Sequence, residues 1–506
     1  MTRSSPTASK RITREKQYAK SKDAKAPVLI NPQGQKNYSH AKALPQHVFH
    51  LEQLLPELLQ FDQPADRVVS RYFRAHPKLG NRDRALIAEA AFSVLRRKQE
   101  FSQFAASGSG SLARRLALLG LVSALSEGGL GSANRLESAL ADLAFVVQKE
   151  EYEWLSRFGQ IDRDALGRLV KHNLPEWLWD TLVRSLGEEE GSRLAEALMK
   201  PAPLDLRVNT LKTSRDQLLM QMNQSASRFE AHPTPYSQEG IRIFGKPALQ
   251  SSSWMKDGLF EVQDEGSQIL CHLLDPKRGE MVVDFCAGAG GKTLALGAMM
   301  RNTGRLYAFD TSERRLANLK PRLARSGLSN VHPMWIDSEK DPRIKRLAGK
   351  IDRVLVDAPC SGLGTLRRNP DLKWRQTPAE IAKLAPTQLA ILESAARLLK
   401  PGGRLVYATC SLLDQENQEL VNLFLEKHPD FVLLSAKEAL GHHFLHDGIP
   451  IGTCNDKPWW QLFPSVGPRL FGLGLVADRD LYLGHDPHYD CQCYDFFTPL
   501  SGASSA

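Results

Sequence analysis

The sequence lacks any long apolar run. A membrane-spanning helix needs about 18 consecutive apolar residues. No stretch of the sequence has them, so we expect no membrane association. The opening stretch, MTRSSPTASKRITREKQYAK, has no apolar core and does not predict a secretory signal. An internal repeat of fixed period is also absent.

Cysteine is scarce and odd in number. The chain has seven cysteines in 506 residues. Without a signal peptide, such a count favours free thiols in a reducing cytosol over a disulfide framework, and we therefore predict a cytoplasmic protein. The seven are Cys271, Cys286, Cys360, Cys410, Cys454, Cys491 and Cys493.

Basic residues outnumber acidic ones. The net charge is +9 at pH 7, and the isoelectric point is near 9.1. This excess indicates an anionic partner, most commonly a nucleic acid. The alternative is a basic soluble enzyme without such a partner. No segment suggests an obligate protein partner, so we expect a monomer.

The length predicts several domains, because 506 residues exceed what one hydrophobic core supports. Residues 1–45 are basic and aperiodic, which predicts a disordered tail that is either simply solvated or contacts phosphates. Residues 46–200 show apolar positions at three- and four-residue spacing and predict an all-helical domain. Within it, Arg96 lies off the apolar face and would contribute to a basic surface.

The predicted secondary-structure pattern changes twice in the remaining chain. Residues 201–270 mix short strands and helices and predict a small α+β module. Residues 271–465 alternate strand and helix, which predicts an α/β domain with a doubly wound parallel sheet. Residues 466–506 predict an irregular tail. Its His485, His488, Cys491 and Cys493 do not have the spacing of a familiar zinc finger, so we predict no metal site.

A glycine-rich loop follows the first strand of the α/β domain. The run from Asp284 to Thr293, DFCAGAGGKT, places glycines between a strand and a helix, where a ligand can approach the backbone. A P-loop would need a further glycine at the position of Cys286, and no clear magnesium-binding partner is present. The other interpretation is the nucleoside-binding turn of a methyltransferase-type sheet.

Acidic residues at the ends of the next strands favour the second interpretation. Asp310 ends RLYAFD, where an acid can hold ribose hydroxyls. Asp337 ends VHPMWID, near the expected adenine edge, and Asp357 ends IDRVLVD. Three consecutive strands that end in aspartate favour S-adenosylmethionine over a nucleoside triphosphate.

Two thiols follow adjacent strands of the predicted sheet. Cys360 lies three residues after Asp357, and Cys410 ends the following strand. Because adjacent strands lie about 5 Å apart, both thiols could line one cleft. A thiolate that adds to carbon 6 of a pyrimidine makes carbon 5 able to accept a methyl group, once the base is unpaired or flipped out. Spacing alone does not tell which thiol is the nucleophile.

Four motifs resemble those of the Nol/Nop/Sun family of RNA cytosine-5 methyltransferases. They are VVDFCAGAGGKTLAL, YAFDTSERRLANL, VLVDAPCSGLGTLRRNPDLKW and LVYATCSLLDQENQ. The helical region is similar to the NusB-like domain of the bacterial Sun/RsmB-type branch, whose substrate is small-subunit (16S) rRNA. The resemblance covers residues 46–430. It implies a Rossmann-like S-adenosylmethionine-dependent domain that follows the helical domain and a small RNA-contacting module.

The resemblance also implies roles for the loop and the strand-end acids. Asp310 would bind the ribose and Asp337 would lie near the adenine. Asp357 would hold the target base close to the methyl group. The loop that cradles the methionine end of the cofactor would consist of Cys286, Ala287, Gly288, Ala289, Gly290, Gly291 and Lys292.

For the thiols, the resemblance makes Cys410 the nucleophile and Cys360 the group that assists product release. Two features depart from the family. Ala289 replaces a common proline, and SVGPRLFGLGL follows QLFP (461–464) where the closing strand pair is expected. Either the last strands are rebuilt or the terminal residues are altered. A catalytically silent ribosome-assembly factor, or an enzyme acting on tRNA, are the alternative functions.

Overall fold

The computed structural model describes most of the chain outside its two ends. The predictions for the basic tail and for the cluster of His485 and Cys491 lie outside the described residues. Within the described ranges, no helix combines the length and apolar character needed to cross a membrane. The described residues are 43–126, 133–225, 229–245, 249–434, 439–440, 460–461 and 471–476.

Helices follow one another through the described residues up to Leu198, as the apolar periodicity predicts. They are α1 (Leu44–Leu58), α2 (Ala65–Ala75), α3 (Asn81–Arg96), α4 (Lys98–Ala105), α5 (Leu112–Leu125), α6 (Ala133–Leu143), α7 (Lys149–Phe158), α8 (Arg168–His172), α9 (Glu176–Leu186) and α10 (Glu188–Leu198).

Contacts divide the chain into two compact units. The described residues within Met1–Pro56, His76–Ala91 and Phe104–Ile161 form the first unit, and the rest form the second. In the first unit, the Arg114 guanidinium donates to both carboxylate oxygens of Glu151, with Nε to Oε1 at 2.5 Å and Nη2 to Oε2 at 2.8 Å. This bidentate ion pair ties α5 to α7.

A small antiparallel sheet of four strands follows the helices, in the order β2-β3-β1-β4. Its buried face includes Leu206, Ile241 and Phe260. This agrees with the predicted α+β module. Its elements are β1 (Leu204–Val208), α11 (Arg215–Gln224), β2 (Glu230–Pro233), β3 (Gly240–Phe244), α12 (Ser253–Lys256) and β4 (Phe260–Val262).

A larger sheet occupies the rest of the second unit, and strands alternate with helices. The elements are α13 (Glu265–Leu274), β5 (Met281–Asp284), α14 (Gly291–Met299), β6 (Arg305–Asp310), α15 (Glu313–Ser326), β7 (Val331–Trp335), α16 (Pro342–Lys345), β8 (Ile351–Asp357), α17 (Leu372–Arg375), α18 (Pro378–Ala382), α19 (Leu384–Ala396), β9 (Leu399–Thr409), α20 (Gln418–Lys427), β10 (Val432–Leu434), β11 (Trp460–Gln461) and β12 (Phe471–Val476).

The parallel part of this sheet has the order β9-β8-β5-β6-β7. Counted along the chain, this is the Rossmann order 3-2-1-4-5 read from β7, with the direction of winding reversing at β5. Alternate residues of each strand face opposite sides, so Val282 joins a core with α13, α14 and α15. Val283 joins a second core with α19 and α20. The predicted doubly wound, Rossmann-like fold is confirmed.

The far edge of the sheet carries antiparallel strands. β12 lies between β9 and β10, and β11 pairs with β12 as well. We predicted an irregular tail over 466–506, and the strand at 471–476 departs from that prediction. The motif pattern could not indicate it, because backbone pairing with β9, rather than side-chain alternation, defines this strand.

Arg96 also differs from its predicted surface role. Its side chain is buried, and its Nη2 donates to the carbonyl oxygen of Arg367 at 3.1 Å. Nearby, Lys373 is buried too and donates to the Arg96 carbonyl oxygen at 2.8 Å. These bonds join the end of α3 to the segment after β8, so Arg96 is structural and is not available to a phosphate.

Candidate active site

The candidate site lies where β5, β6, β8 and β9 end. In open α/β sheets, ligands bind at the carboxyl ends of the strands and at the point where the winding direction reverses, which here is β5. Asp284, Asp310 and Asp357 are the last residues of β5, β6 and β8. The parallel register therefore brings the predicted acids to one edge.

Hydrogen bonds of the backbone N–H groups hold the loop from Phe285 to Gly290. The Ala287 N–H donates to the Phe309 carbonyl oxygen at 2.8 Å, and the Gly290 N–H donates to the Ala287 carbonyl oxygen at 2.8 Å. Gly290 has φ +83°, and a Cβ there would lie 2.1 Å from a Leu319 methyl carbon. The turn into α14 therefore requires glycine at this position.

Gly288 marks the open side of the loop. It has φ +57°, and a Cβ built there would meet no atom within 4 Å. Its N–H donates to Oδ2 of Asp310 at 2.8 Å, while the Ser312 N–H donates to Oδ1 at 2.6 Å. A carboxylate offers about four acceptor sites, so Asp310 can accept further bonds from a ligand.

Asp337 lies farther out than the sequence pattern predicts. β7 ends at Trp335, so Asp337 follows the strand by two residues and is exposed. Its N–H donates to Oδ2 of Asp341 at 3.3 Å. Buried Ile336 was counted with the strand, which explains the misplaced boundary.

Asp284 is buried beneath the loop, and only one of its oxygens is bonded. The Thr293 hydroxyl donates to Oδ2 at 2.6 Å. Oδ1 has no hydrogen-bond partner among the described residues. Burial raises the pKa of Asp284 to about 7, because desolvation disfavours the charged form.

Lys292 joins the loop helix to the next acid along the edge. Its Nζ lies 2.6 Å from Oδ2 of Asp357. Burial alone would lower the pKa of Lys292, but the Asp357 carboxylate outweighs it and the pKa is raised. The motifs predicted that Lys292 contacts the cofactor and that Asp357 both anchors the base and contributes to the cofactor site. No spacing indicated that the two form an ion pair.

The two predicted thiols meet. Cys410 follows the last residue of β9, and its Sγ lies 3.2 Å from Sγ of Cys360. The Cys410 N–H donates to Sγ of Cys360 at 3.3 Å. The hydrogen bond with Cys410, together with burial, raises the pKa of Cys360 well above its usual value. Cys360 therefore keeps its proton near neutral pH.

Cys286 differs from these thiols. Its side chain packs against the core cluster that contains Phe285 and Phe309, and burial raises its pKa well above the usual range. Its sulfur is therefore part of the packing and is protonated near neutral pH.

A buried carboxylate behind the thiols was missed by the sequence analysis. Glu416 is 0% exposed and accepts hydrogen bonds from Ser361 and Ser411, which follow the two cysteines. The repeated Cys-Ser pair was the available signal, but nothing in the spacing connects it to a glutamate in the next turn.

Comparison with known proteins identifies this site's family. Residues 271–449 match the family model described as 16S rRNA methyltransferase RsmB/F, and residues 174–250 match the ferredoxin-like domain of RsmF/B-like methyltransferases. A probable ribosomal RNA small subunit methyltransferase B from Synechocystis is 33% identical over 401 residues, covering 75% of this chain and 88% of that protein. The chain belongs to the RsmB/F family. The resemblance predicted from the motifs is confirmed.

Solved structures are similar to this RsmB/F chain. The match to the crystal structure of PH0851 covers 85% of this chain and 98% of the PH0851 chain, with 25% identity and a TM-score of 0.64. A methyltransferase homologue from Pyrococcus horikoshii covers 61% and 97%, with 32% identity and a TM-score of 0.52. The RsmB/F chain described here is thus an RNA methyltransferase, and its cofactor is S-adenosylmethionine.

The edge formed by β5 and β6 suits that cofactor. The open side of Gly288 leaves room beside the backbone, and the unpaired oxygen of Asp284 and the spare acceptor sites of Asp310 can meet polar groups. The start of α14 adds backbone N–H groups that have no partner within the helix. The donor and acceptor set of this RsmB/F protein therefore fits a ligand with an amino-acid end and a ribose.

Proposed function

We propose that this enzyme methylates carbon 5 of a cytosine in small-subunit rRNA through a covalent cysteine adduct. The observation that carries the proposal is the pair of thiols, whose sulfurs lie 3.2 Å apart in the loops that follow β8 and β9, with Asp357 as the last residue of β8. The rRNA substrate is supported by the names of the relatives, which are ribosomal RNA small subunit methyltransferases.

In the proposed reaction, the Cys410 thiolate adds to carbon 6 of the cytosine. Electron density moves to carbon 5, while Asp357 binds the ring edge and favours protonation at nitrogen 3. The bound S-adenosylmethionine supplies the methyl group that carbon 5 accepts. A proton acceptor then removes the proton from carbon 5. The bond between carbon 6 and the sulfur breaks, and Cys410 is released from the cytosine.

The proposed roles of the two thiols follow from their environments. Cys360 is held protonated by its contact with Cys410 and by burial, which makes it a poor nucleophile. It can instead donate its proton to the sulfur of Cys410 as that sulfur leaves the base. Cys410 lies directly after β9, and β9 pairs in parallel with β8, the strand that ends in Asp357.

The loop and its neighbouring acids are proposed to hold the cofactor. Residues 286–292 would cradle the methionine end, Asp310 would bind the ribose hydroxyls, and Asp337 would lie at the adenine side. Lys292 would act through its ion pair, fixing the orientation of the Asp357 carboxylate. The small antiparallel module and the helical domain would contribute phosphate contacts to the RNA.

The test is methyl transfer by the purified protein to small-subunit rRNA. We expect Cys410→Ala to lose transfer by about 10³-fold or more and to form no covalent adduct. We expect Cys360→Ala to accumulate an RNA adduct that survives denaturing electrophoresis. The reverse pattern would contradict the two roles.

Two further outcomes separate the alternatives. Lack of labelled methyl incorporation into any RNA would favour a catalytically silent assembly factor. Transfer to tRNA in preference to rRNA would show that tRNA is the substrate. Bisulfite sequencing of RNA from a strain lacking the gene would locate the modified cytosine.

A further inference from the structure

Two loops at the carboxyl edge of the sheet share a sequence feature. A serine follows each active-site cysteine, as Ser361 after Cys360 and Ser411 after Cys410. The two Oγ atoms lie 3.2 Å apart, although the residues are 50 positions apart in the chain. Both serines are almost completely buried, at 2% and 1% exposure.

Both hydroxyls donate to one oxygen of Glu416. Ser361 Oγ lies 2.5 Å from Oε2, and Ser411 Oγ bonds the same atom. The other oxygen, Oε1, accepts from the Ser361 N–H at 2.8 Å and from Nε2 of Gln388 at 3.0 Å. These donors fill about four acceptor sites, so the buried carboxylate is satisfied within the described protein.

Glu416 is itself held in place. The Tyr407 hydroxyl donates to its carbonyl oxygen at 2.8 Å. Gln388 also donates to the Pro359 carbonyl oxygen at 2.9 Å, which ties the same support to the Cys360 loop. A saturated and enclosed carboxylate has no capacity left for a substrate. It can act only through the groups that donate to it.

We propose that Glu416 is a positioning residue that sets the two thiols relative to each other through the hydroxyls of Ser361 and Ser411. Each serine then controls the step that its neighbouring cysteine performs. Ser411 serves adduct formation and Ser361 serves product release. This inference rests on the proposed function of the site.

The experiment compares Ser411→Ala and Ser361→Ala in the full-length protein with S-adenosylmethionine and small-subunit rRNA. Ser394→Ala is the matched control, because this buried serine also donates one hydrogen bond, to the Glu339 carbonyl oxygen at 2.6 Å, away from the thiols. A misplacement of about 1 Å can cost about 10²-fold in rate. A serine substitution that partly frees one loop should therefore lower the rate of the corresponding step about tenfold.

We expect Ser411→Ala to slow adduct formation about tenfold. We expect Ser361→Ala to form the adduct at the normal rate and to lengthen its lifetime by about the same factor. Ser394→Ala should stay within about twofold of the wild type in both steps. Equal slowing of both steps in all three variants, in proportion to lost thermal stability, would overturn the inference.

A second readout needs neither RNA nor cofactor. Iodoacetamide alkylation, followed residue by residue with mass spectrometry, should become faster at Cys410 in Ser411→Ala and at Cys360 in Ser361→Ala. Glu416→Leu should affect both thiols. If no RNA adduct forms in any variant, the proposed function fails, and the alkylation pattern alone decides the positioning role. Unchanged alkylation in Glu416→Leu would overturn it.

Discussion

The two halves of the sheet's carboxyl edge are built differently. On the cofactor half, where β5 and β6 end, backbone bonds shape the loop. Oδ1 of Asp284 has no partner among the described residues, and each oxygen of Asp310 accepts one backbone N–H and keeps a spare acceptor site. On the thiol half, where β8 and β9 end, a buried side chain holds two loops, and all its acceptor sites are filled.

The difference separates two kinds of buried carboxylate. An unsatisfied polar group inside a protein costs free energy, and beside a ligand-binding edge it is an acceptor whose bonding a ligand can complete. A saturated group costs little and is suited to hold its neighbours in place. Asp284 belongs to the first kind and Glu416 to the second.

The largest predicted effect is the pH dependence of the free energy of unfolding that Asp284, on the cofactor half, should cause. Asp284 has its pKa raised to about 7 by burial, so the folded state keeps a proton that the unfolded state loses near pH 4. The free energy of unfolding should therefore fall as pH rises between about 4 and 7, by on the order of 4 kcal/mol. Asp284→Asn carries no titrating group there and should lack this component.

Urea unfolding of the cofactor-free protein at several pH values measures it. The difference between wild type and Asp284→Asn isolates the contribution from that of other titrating groups. A difference that stays constant from pH 5 to 8 would mean that Asp284 is ionised throughout and that its unpaired oxygen is stabilised in another way.

The next prediction concerns Asp310. Asp310→Ala removes the acceptor of the Gly288 N–H and the proposed ribose ligand, so the dissociation constant for S-adenosylmethionine should rise about 100-fold. Isothermal titration calorimetry measures it. Asp352→Ala is the control, because Asp352 also accepts a backbone N–H, from Met281 at 2.8 Å, but at the opposite end of the sheet. An equal loss in both variants would point to general destabilisation.

The smallest effect compares two glycines of the loop. Gly290→Ala should lower the free energy of unfolding by about 2 kcal/mol, because positive φ and the Leu319 contact both oppose a Cβ. In Gly288→Ala only the positive φ is unfavourable, so the free energy of unfolding should fall by about 1 kcal/mol. Its Cβ would enter the open space instead, so cofactor affinity should fall more than stability. Chemical denaturation and calorimetry separate the two effects.

Local features of the sequence were predicted well. A threonine before a proline is typical of a helix start, and the hydroxyl of Thr377, which precedes Pro378, accepts the Glu380 N–H at 3.3 Å. The strand ends at Asp310, Asp357 and Cys410 agree to within one residue. These signals depend on neighbouring residues, which is why a single sequence contains them.

Contacts between distant residues were predicted less well. Adjacent strand ends implied that Cys360 and Cys410 could share a cleft, and the 3.2 Å separation of their sulfurs confirms that proximity. The ion pair of Lys292 with Asp357 was not foreseen, although both residues were singled out. Their separation of 65 positions has no periodicity that could reveal it. The roles assigned to these residues stay predictions.

The sequence by itself determined the order of strands and helices through β9, the glycine-rich turn and the acids that end β6 and β8, because each follows from local backbone preferences and hydrophobic periodicity. Only the tertiary structure decided which polar groups are satisfied. Within the described part of the chain, it left one oxygen of Asp284 without a partner and bonded Glu416 to two serines. Hydrogen-bond satisfaction depends on which segments the sheet brings together, and that is a property of the whole fold.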